Sequence, residues 1–257
     1  MVNIEAKKSL GQNFLKDEKI LKIIASSFPT SDNDLIIEIG PGQGALTKYF
    51  IQMPGSLICY EIDERMKDIL VHFKSERSSI IFDDFLNRDI SKDIVDDFEN
   101  IYVIANIPYY ITTPIIEHLL FSGITINGMT LLVQSEVANR FIASPKSRDY
   151  GYFTVLLNHF FEMQKLVDVP PSAFSPSPKV FSIVVKFVRK KNIVSLDLDS
   201  FQVFLKKAFQ YKRKTLRNNI GASSILDEFL ESKNYSKSIR AEELSYDDFV
   251  ELFNKLA

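Results

Sequence analysis

Residues 35–39, Leu-Ile-Ile-Glu-Ile, form a short apolar run that stops at Gly40-Pro41-Gly42-Gln43-Gly44, and this run-then-turn unit recurs along the chain. Residues 56–60 stop at Glu61-Ile62-Asp63, 79–82 at Asp83-Asp84, and 101–105 at Asn106-Ile107-Pro108-Tyr109. Short apolar runs without polar alternation fit strands buried on both faces, as in a parallel sheet. Residues 44–52, 64–73, 114–121 and 135–142 read as helices, 17–27 as a helix opened by Asp17, and 128–133 as a fifth strand. Strands alternating with helices mean βαβ units, so the fold class is α/β with a Rossmann-like, mostly parallel sheet. Residues 153–169 and 181–188 read as further strands closing that sheet.

The texture changes after residue 188. Residues 189–192 form a charged linker. From 198 to 256 the apolar positions recur at helical spacing: Phe201, Phe204, Leu205 and Phe209, then Ile225, Phe229 and Leu230, then Phe249, Leu252 and Phe253. The expected organisation is a cofactor-binding catalytic domain over 1–188 and a small all-helical domain over 195–257.

Ligands in an open α/β sheet sit beyond the carboxyl ends of the strands. The four clusters that end the first four strands therefore line one edge. Glycines at 40, 42 and 44 let a backbone approach a ligand closely and turn into a helix. Glu61 can take the hydroxyls of a ribose, and Asp84 can accept from an adenine amino group. The set fits an adenosine-bearing cofactor. A dinucleotide is disfavoured, because the glycines are spaced G-x-G-x-G rather than G-x-G-x-x-G. Glu38 would also repel a phosphate. S-Adenosylmethionine carries no phosphate, and its sulfonium and amino groups are cationic, so an acid-lined pocket suits it. The sheet thus reads as that of a class I methyltransferase.

Asn106-Ile107-Pro108-Tyr109 defines the acceptor. The N6 lone pair of adenine is delocalised into the ring. An asparagine oxygen and a nearby carbonyl can accept the N6 hydrogens, pull the nitrogen toward tetrahedral geometry and free the lone pair. Pro108 stiffens the loop and offers no N–H. Tyr109 offers a ring on which a flipped-out base can stack. Positioning and electrostatics supply the rate, with no metal or dedicated base. His72, His118 and His159 are scattered and show no ligand spacing, and no nucleophile elbow supports a hydrolase.

Charge points to the partner by its distribution. The 257 residues carry a net charge of −2, which announces no polyanion. Yet residues 201–220 hold Lys206, Lys207, Lys212, Arg213, Lys214 and Arg217 and no acid, with Phe209 and Tyr211 interleaved. That pattern suits RNA phosphates. No apolar run reaches the roughly 18 residues of a membrane helix. Residues 1–8 lack the apolar core of a signal peptide. The lone cysteine, Cys59, sits in an apolar run and reads as a buried thiol. These features lead to the expectation of a cytoplasmic protein without a membrane or metal partner.

The chain resembles the small-subunit ribosomal RNA adenine dimethyltransferase family. The likeness rests on Lys8-Ser9-Leu10-Gly11-Gln12-Asn13-Phe14-Leu15, the glycine loop, residues 106–114, Val133-Gln134-Ser135-Glu136-Val137-Ala138, Tyr150-Gly151, residues 169–180, residues 213–218 and Arg240-Ala241-Glu242. Ser135 stands where the family usually has lysine, and Thr112 replaces a common serine. The resemblance implies cofactor contacts at Asn13, Leu15, Gly40, Glu61, Asp84 and Asn106. It implies stacking of the target base by Tyr109 and Phe174. Read from the residues alone, Asn13 could cap the helix at Asp17 and Phe174 could be core. The family places two methyl groups on N6 of each of two adjacent adenines near the 3′ end of small-subunit rRNA, and several members act in ribosome biogenesis. The implied substrate is rRNA in a pre-ribosomal 30S particle, met by a monomer. Two alternatives remain: an Erm-type methyltransferase of large-subunit rRNA, and a non-enzymatic assembly factor on the same scaffold.

Overall fold

The computed structural model describes residues 4–7, 10–107 and 111–256. These form two compact units: residues 1–138 with 164–189, and residues 139–163 with 190–257. The change of texture at the 189–192 linker coincides with a unit boundary. The segment 139–163, expected within the first domain, belongs to the second unit.

The first unit is built on a sheet of order β4-β3-β2-β5-β6-β9-β7, whose edge strand β7 (Phe161–Val169) starts in residues of the second unit. Strands β2 (Asp34–Ile39), β3 (Ser56–Glu61), β4 (Ser78–Phe82), β5 (Asn100–Asn106) and β6 (Gly128–Gln134) are parallel neighbours. Strand β9 (Ser182–Arg189) runs antiparallel to β6. β2 is buried at every position, which is why it carries no polar alternation. β3 and β4 extend the sheet to one side of β2, while β5 and β6 extend it to the other. Strand order therefore reverses at β2 and β5, where α/β sheets open a ligand crevice. Helix α1 (Glu18–Ala25) packs Ile20, Leu21 and Ile24 into the core, and Asp17 caps it by accepting from the amides of Lys19 and Ile20.

Three sequence expectations change. The helix over 44–52 is regular only in α2 (Thr47–Phe50), after a glycine turn. The helix over 64–73 is one α-turn, α3 (Lys67–Leu70), between 3-10 turns at Glu64–Met66 and Val71–Phe73. Residues 153–169 are not all strand: α7 (Tyr152–Phe160) precedes β7 (Phe161–Val169). α7 is buried nearly all round, from Phe153 to Leu157 and at His159 and Phe160. Its apolar run therefore lacks the periodicity that separates a helix from a strand.

In the second unit α7 packs against α8 (Leu198–Ala208) and α11 (Tyr246–Leu256), α9 (Leu216–Ile220) against α8, and α10 (Ser224–Ser232) against α11. Its core is aromatic: Phe201 meets Phe253 edge-on at 5.2 Å, and Phe209 lies 5.4 Å from Phe249. Asp197 caps α8 and Thr215 caps α9. Buried Asn219 donates to the carbonyl of Ala208 at 2.7 Å, tying α9 to the end of α8. Among the described residues no helix is long and apolar enough to cross a membrane.

Candidate active site

A cavity of about 580 Å³ opens in the first unit at the carboxyl ends of β2, β3 and β5. That size suits a small-molecule cofactor. Its wall includes Glu38, Gly40, Gly42, Glu61, Asp83, Asp84 and Asn106, together with residues 10–16 of the N-terminal segment. Among the described residues, five carboxylates (those four and Glu5) against one lysine, Lys16, make the wall acidic.

The glycine loop is shaped by two aromatic rings. Gly42 has φ +55°, and a Cβ there would lie 3.0 Å from the Phe14 ring. Gly44 has φ +78°, and its Cβ would lie 2.3 Å from the Phe73 ring. Only glycine satisfies both the dihedral and the space. The loop then fixes Glu61: the Gly42 amide donates to one carboxylate oxygen at 2.9 Å, and the Asp63 amide donates to the other at 2.8 Å. Glu61 is buried, and burial pushes its carboxyl above the usual range despite those amides. A carboxylate held by two backbone donors keeps further lone pairs for hydroxyl donors from a ligand.

Glu38 lies beneath the loop. Thr47 Oγ1 donates to it at 2.7 Å and Cys59 Sγ approaches at 3.5 Å. Burial, reinforced by the Glu61 charge, pushes its carboxyl up to about 7. Burial and Glu38 also push the Cys59 thiol up, so Cys59 is the inert core thiol expected of it. Asp84 follows β4 and caps a 3-10 turn, accepting from the Leu86 amide at 3.0 Å. Asp83, its neighbour, pairs with Arg88 at 3.4 Å.

Asn106 is the last residue of β5. Its Nδ2 donates to the carbonyl of Asn13 at 3.3 Å, which commits the amide nitrogen and turns Oδ1 into the available acceptor. Asn13 does not cap α1, since Asp17 does; its own Nδ2 donates to the Gly11 carbonyl at 3.2 Å. Leu15 is buried in β1 (Phe14–Leu15), which pairs with β8 (Phe174–Ser175). Ser175 and Pro176 line the cavity, whereas Phe174 is 2% exposed and packs in the core cluster with Leu15 and Leu21. The structure thus gathers Asn13, Leu15, Gly40, Glu61, Asp84 and Asn106 and sets the Phe174 ring beside them, inside the core. Pro108 and Tyr109 lie outside the described residues.

Three groups escaped the sequence reading: Gln12, Asp63 and Arg65. Gln12 Nε2 donates to Asp63 at 2.8 Å, and Arg65 Nε donates to the same carboxylate at 2.9 Å. Gln12 and Asp63 lay within quoted motifs, but nothing in the spacing pairs them. Among the described residues no cluster of His, Cys, Asp or Glu is placed to hold a metal. His118 instead meets the Arg88 carbonyl, and His159 meets Tyr246 Oη at 3.0 Å within the second unit.

In that second unit Lys206, Lys207, Lys212, Arg213 and Lys214 are exposed. Lys206 lies 5.7 Å over the Tyr152 ring, and Lys212 donates to the Arg148 carbonyl at 3.3 Å. Arg217 differs from the others: it is half-buried and pairs with Asp227 at 3.0 Å.

A family model described as ribosomal RNA adenine dimethylase matches residues 3–257. The ribosomal RNA small subunit methyltransferase A of Mycoplasmopsis pulmonis is 39% identical, over 98% of this chain and 100% of that protein. Its counterpart in Natranaerobius thermophilus is 36% identical, over 97% of this chain and 91% of that protein. The crystal structure of a dimethyladenosine transferase from Plasmodium falciparum superposes with a TM-score of 0.79 at 26% identity, covering 94% of this chain and 98% of that one. That of the 23S rRNA methyltransferase ErmE gives a TM-score of 0.72 at 23% identity, with 95% and 99% covered, a likeness of fold alone.

Proposed function

The chain belongs to the ribosomal RNA adenine dimethylase family, and from that premise we propose that Asn106 Oδ1 presents N6 of an adenine in small-subunit rRNA for two rounds of methylation. The cofactor is S-adenosylmethionine, which when bound supplies an electrophilic methyl group and leaves as a neutral thioether. The cavity fits it: the wall is acidic, among the described residues it holds no cluster of phosphate-binding cations, and residues 10–16 line it. Glu61, pinned by the amides of Gly42 and Asp63, is set to take the ribose hydroxyls. Asp84, on the cavity wall, is assigned to the adenine amino group, and the carboxylates of Glu38 and Glu61 favour a cationic ligand.

The observation that carries the reading is the bond from Asn106 Nδ2 to the Asn13 carbonyl. It fixes which end of the amide faces the acceptor. Oδ1 accepts one N6 hydrogen and draws the nitrogen lone pair out of conjugation as the methyl bond forms. The proton shed from N6 passes to solvent. Tyr109 and Phe174 are assigned to the target ring, and Pro108 to stiffening the loop. For Phe174 this requires the ring to leave the packing it has beside Leu15 when a base enters.

The relatives above 30% identity carry small-subunit names over nearly their whole length, which supports the small-subunit substrate over the Erm-type reading. An assembly factor without catalysis would have no need of Glu61, Asp84 and Asn106 held together at one edge. We assign the exposed cations of the helical unit to rRNA phosphates, in a pre-ribosomal 30S particle in the cytoplasm, reached by a monomer. Modification mapping of both ribosomal RNAs, with and without the protein, tests the proposal. Two adjacent dimethyladenines near the small-subunit 3′ end should vanish in its absence. If they persist, or if a large-subunit adenine loses its methyl instead, the proposal fails.

A further inference from the structure

Residues 4–6 and 10–15 line the cofactor cavity as an N-terminal strap, and the strap is tied down at one carboxylate. Asp63 is 5% exposed. Its side chain accepts from Gln12 Nε2 at 2.8 Å and from Arg65 through Nε at 2.9 Å and Nη2 at 2.6 Å. Arg65 also reaches the strap directly, donating to the Glu5 carbonyl at 3.3 Å. The other end of the strap is held by the pairing of β1 with β8. Asn13 lies between these two anchors, and its carbonyl receives Asn106 Nδ2. The backbone amide of Asp63 meanwhile fixes Glu61.

We propose that Gln12, Asp63 and Arg65 form a positioning latch that holds the Asn13 carbonyl against Asn106, so that the segment walling the cofactor cavity also aims the Asn106 acceptor oxygen. The reasoning rests on the role given to Asn106 above. An asparagine amide has two ends of nearly equal shape, and only a fixed partner selects one of them. That partner is a strap carbonyl, and the strap is tied to the cluster that Gln12 and the exposed Arg65 make on buried Asp63. Such a cluster is directional: Asp63 can only accept, Arg65 can only donate, and Gln12 must turn its nitrogen to Asp63. The Lys7 amide then donates to Gln12 Oε1 at 2.8 Å, which uses the other end of that side chain. The Arg65 guanidinium holds the Asp63 carboxyl down to about 2, so the latch stays charged throughout the physiological range.

The latch acts on methyl transfer rather than on cofactor capture alone, and the two separate kinetically. Gln12→Ala, measured in single turnover at saturating cofactor on immature small subunits, should lower the transfer rate about tenfold and shift cofactor Kd by less than about threefold. Gln12→Glu sets two carboxylates face to face and should do more damage. Adding Asp63→Asn to Gln12→Glu swaps donor and acceptor, and should return the rate to within about threefold of wild type. A rise in cofactor Kd with the saturated rate unchanged would make the strap a mere cofactor wall and overturn the proposal. So would a rate that stays at wild-type level in Gln12→Ala, or one that the paired exchange fails to recover while far-ultraviolet circular dichroism shows the variant folded. Asn106→Ala run alongside separates the two ideas: if it abolishes transfer while the latch variants do not, Asn106 keeps its role and the latch is wrong.

Discussion

The two units handle charge in opposite ways. The first turns acids inward: Asp34, Glu38, Glu61 and Asp63 are all buried, three of them within or just beyond the ends of the strands that build the cavity. The second turns bases outward: Lys206, Lys207, Lys212, Arg213 and Lys214 are exposed over an aromatic core. A buried carboxylate is expensive unless hydrogen-bonded, and is kept where a small cation is to be bound in low dielectric. Exposed cations cost little, and they suit a polyanion whose affinity comes from released counterions. The net charge of −2 therefore conceals an acid-lined cavity and a basic surface.

The sharpest way to break that contrast is to remove the neutral acceptor assigned to the first unit, Asn106 Oδ1. Asn106→Ala should lower the saturated transfer rate by on the order of 10²–10³, the loss seen when one preorganised catalytic hydrogen bond is deleted. Binding of cofactor and of RNA, each followed by calorimetry, should change far less. A comparable loss in cofactor affinity would mean that Asn106 serves the cofactor, and that the acceptor is aimed by something else.

Glu38 tests whether burial of acid is a stability burden. Its carboxyl stands at about 7 against an ordinary 4.5. Between those values the native state holds a proton that the unfolded chain has released. Stability must therefore fall as pH rises through the window and level off above about 7, by about 3 kcal/mol in all. Glu38→Gln cannot titrate, so urea unfolding at pH 5 and pH 8 should show that slope largely gone. A cationic cofactor favours the ionised form, so its Kd should tighten as pH rises through 7 in wild type and not in Glu38→Gln. An unchanged slope in the variant would move the titration to another group.

Glu61→Gln is the intermediate case. It keeps the shape but loses the charge, and its amide nitrogen would face the amide of Gly42 or of Asp63. Cofactor Kd should weaken ten- to a hundredfold, in line with about 1.5–3 kcal/mol for a hydrogen bond to a charged group. The melting temperature should change little, since the same substitution relieves a buried charge. A tenfold fall in RNA affinity at constant cofactor Kd would contradict the division of labour between the units.

How much of this was legible in the sequence varies with the range of the interaction. The strands were legible, because β2 and its neighbours are apolar on both faces, and their ends placed Glu61, Asp84 and Asn106 together without coordinates. Helix α7 was misread for the same reason: burial on all sides erases the period that distinguishes helix from strand. The Asp63 latch was illegible. Gln12 and Asp63 are 51 residues apart, and no local pattern marks a hydrogen bond between them. Arg217 shows the opposite failure. It reads as one more base in a basic run, yet its partner Asp227 lies in the following helix.

That last pair gives the smallest and cleanest test of the second unit. Replacing Lys207, Arg213 and Lys214 together by alanine should weaken rRNA binding roughly tenfold at moderate salt. The slope of log affinity against log salt should become shallower by about two, at about 0.7 for each lost phosphate contact. Cofactor Kd and the saturated transfer rate should stay as they are. Arg217→Ala should behave differently although it removes the same charge. It leaves Asp227 half-buried without its arginine, with Lys237 at 3.7 Å in reserve, so the effect should fall on the melting temperature and little on the salt slope. Equal salt slopes for Arg217→Ala and a single exposed-lysine variant would show that Arg217 leaves Asp227 to meet phosphate. The outward-facing basic set would then extend one helix further than its packing implies.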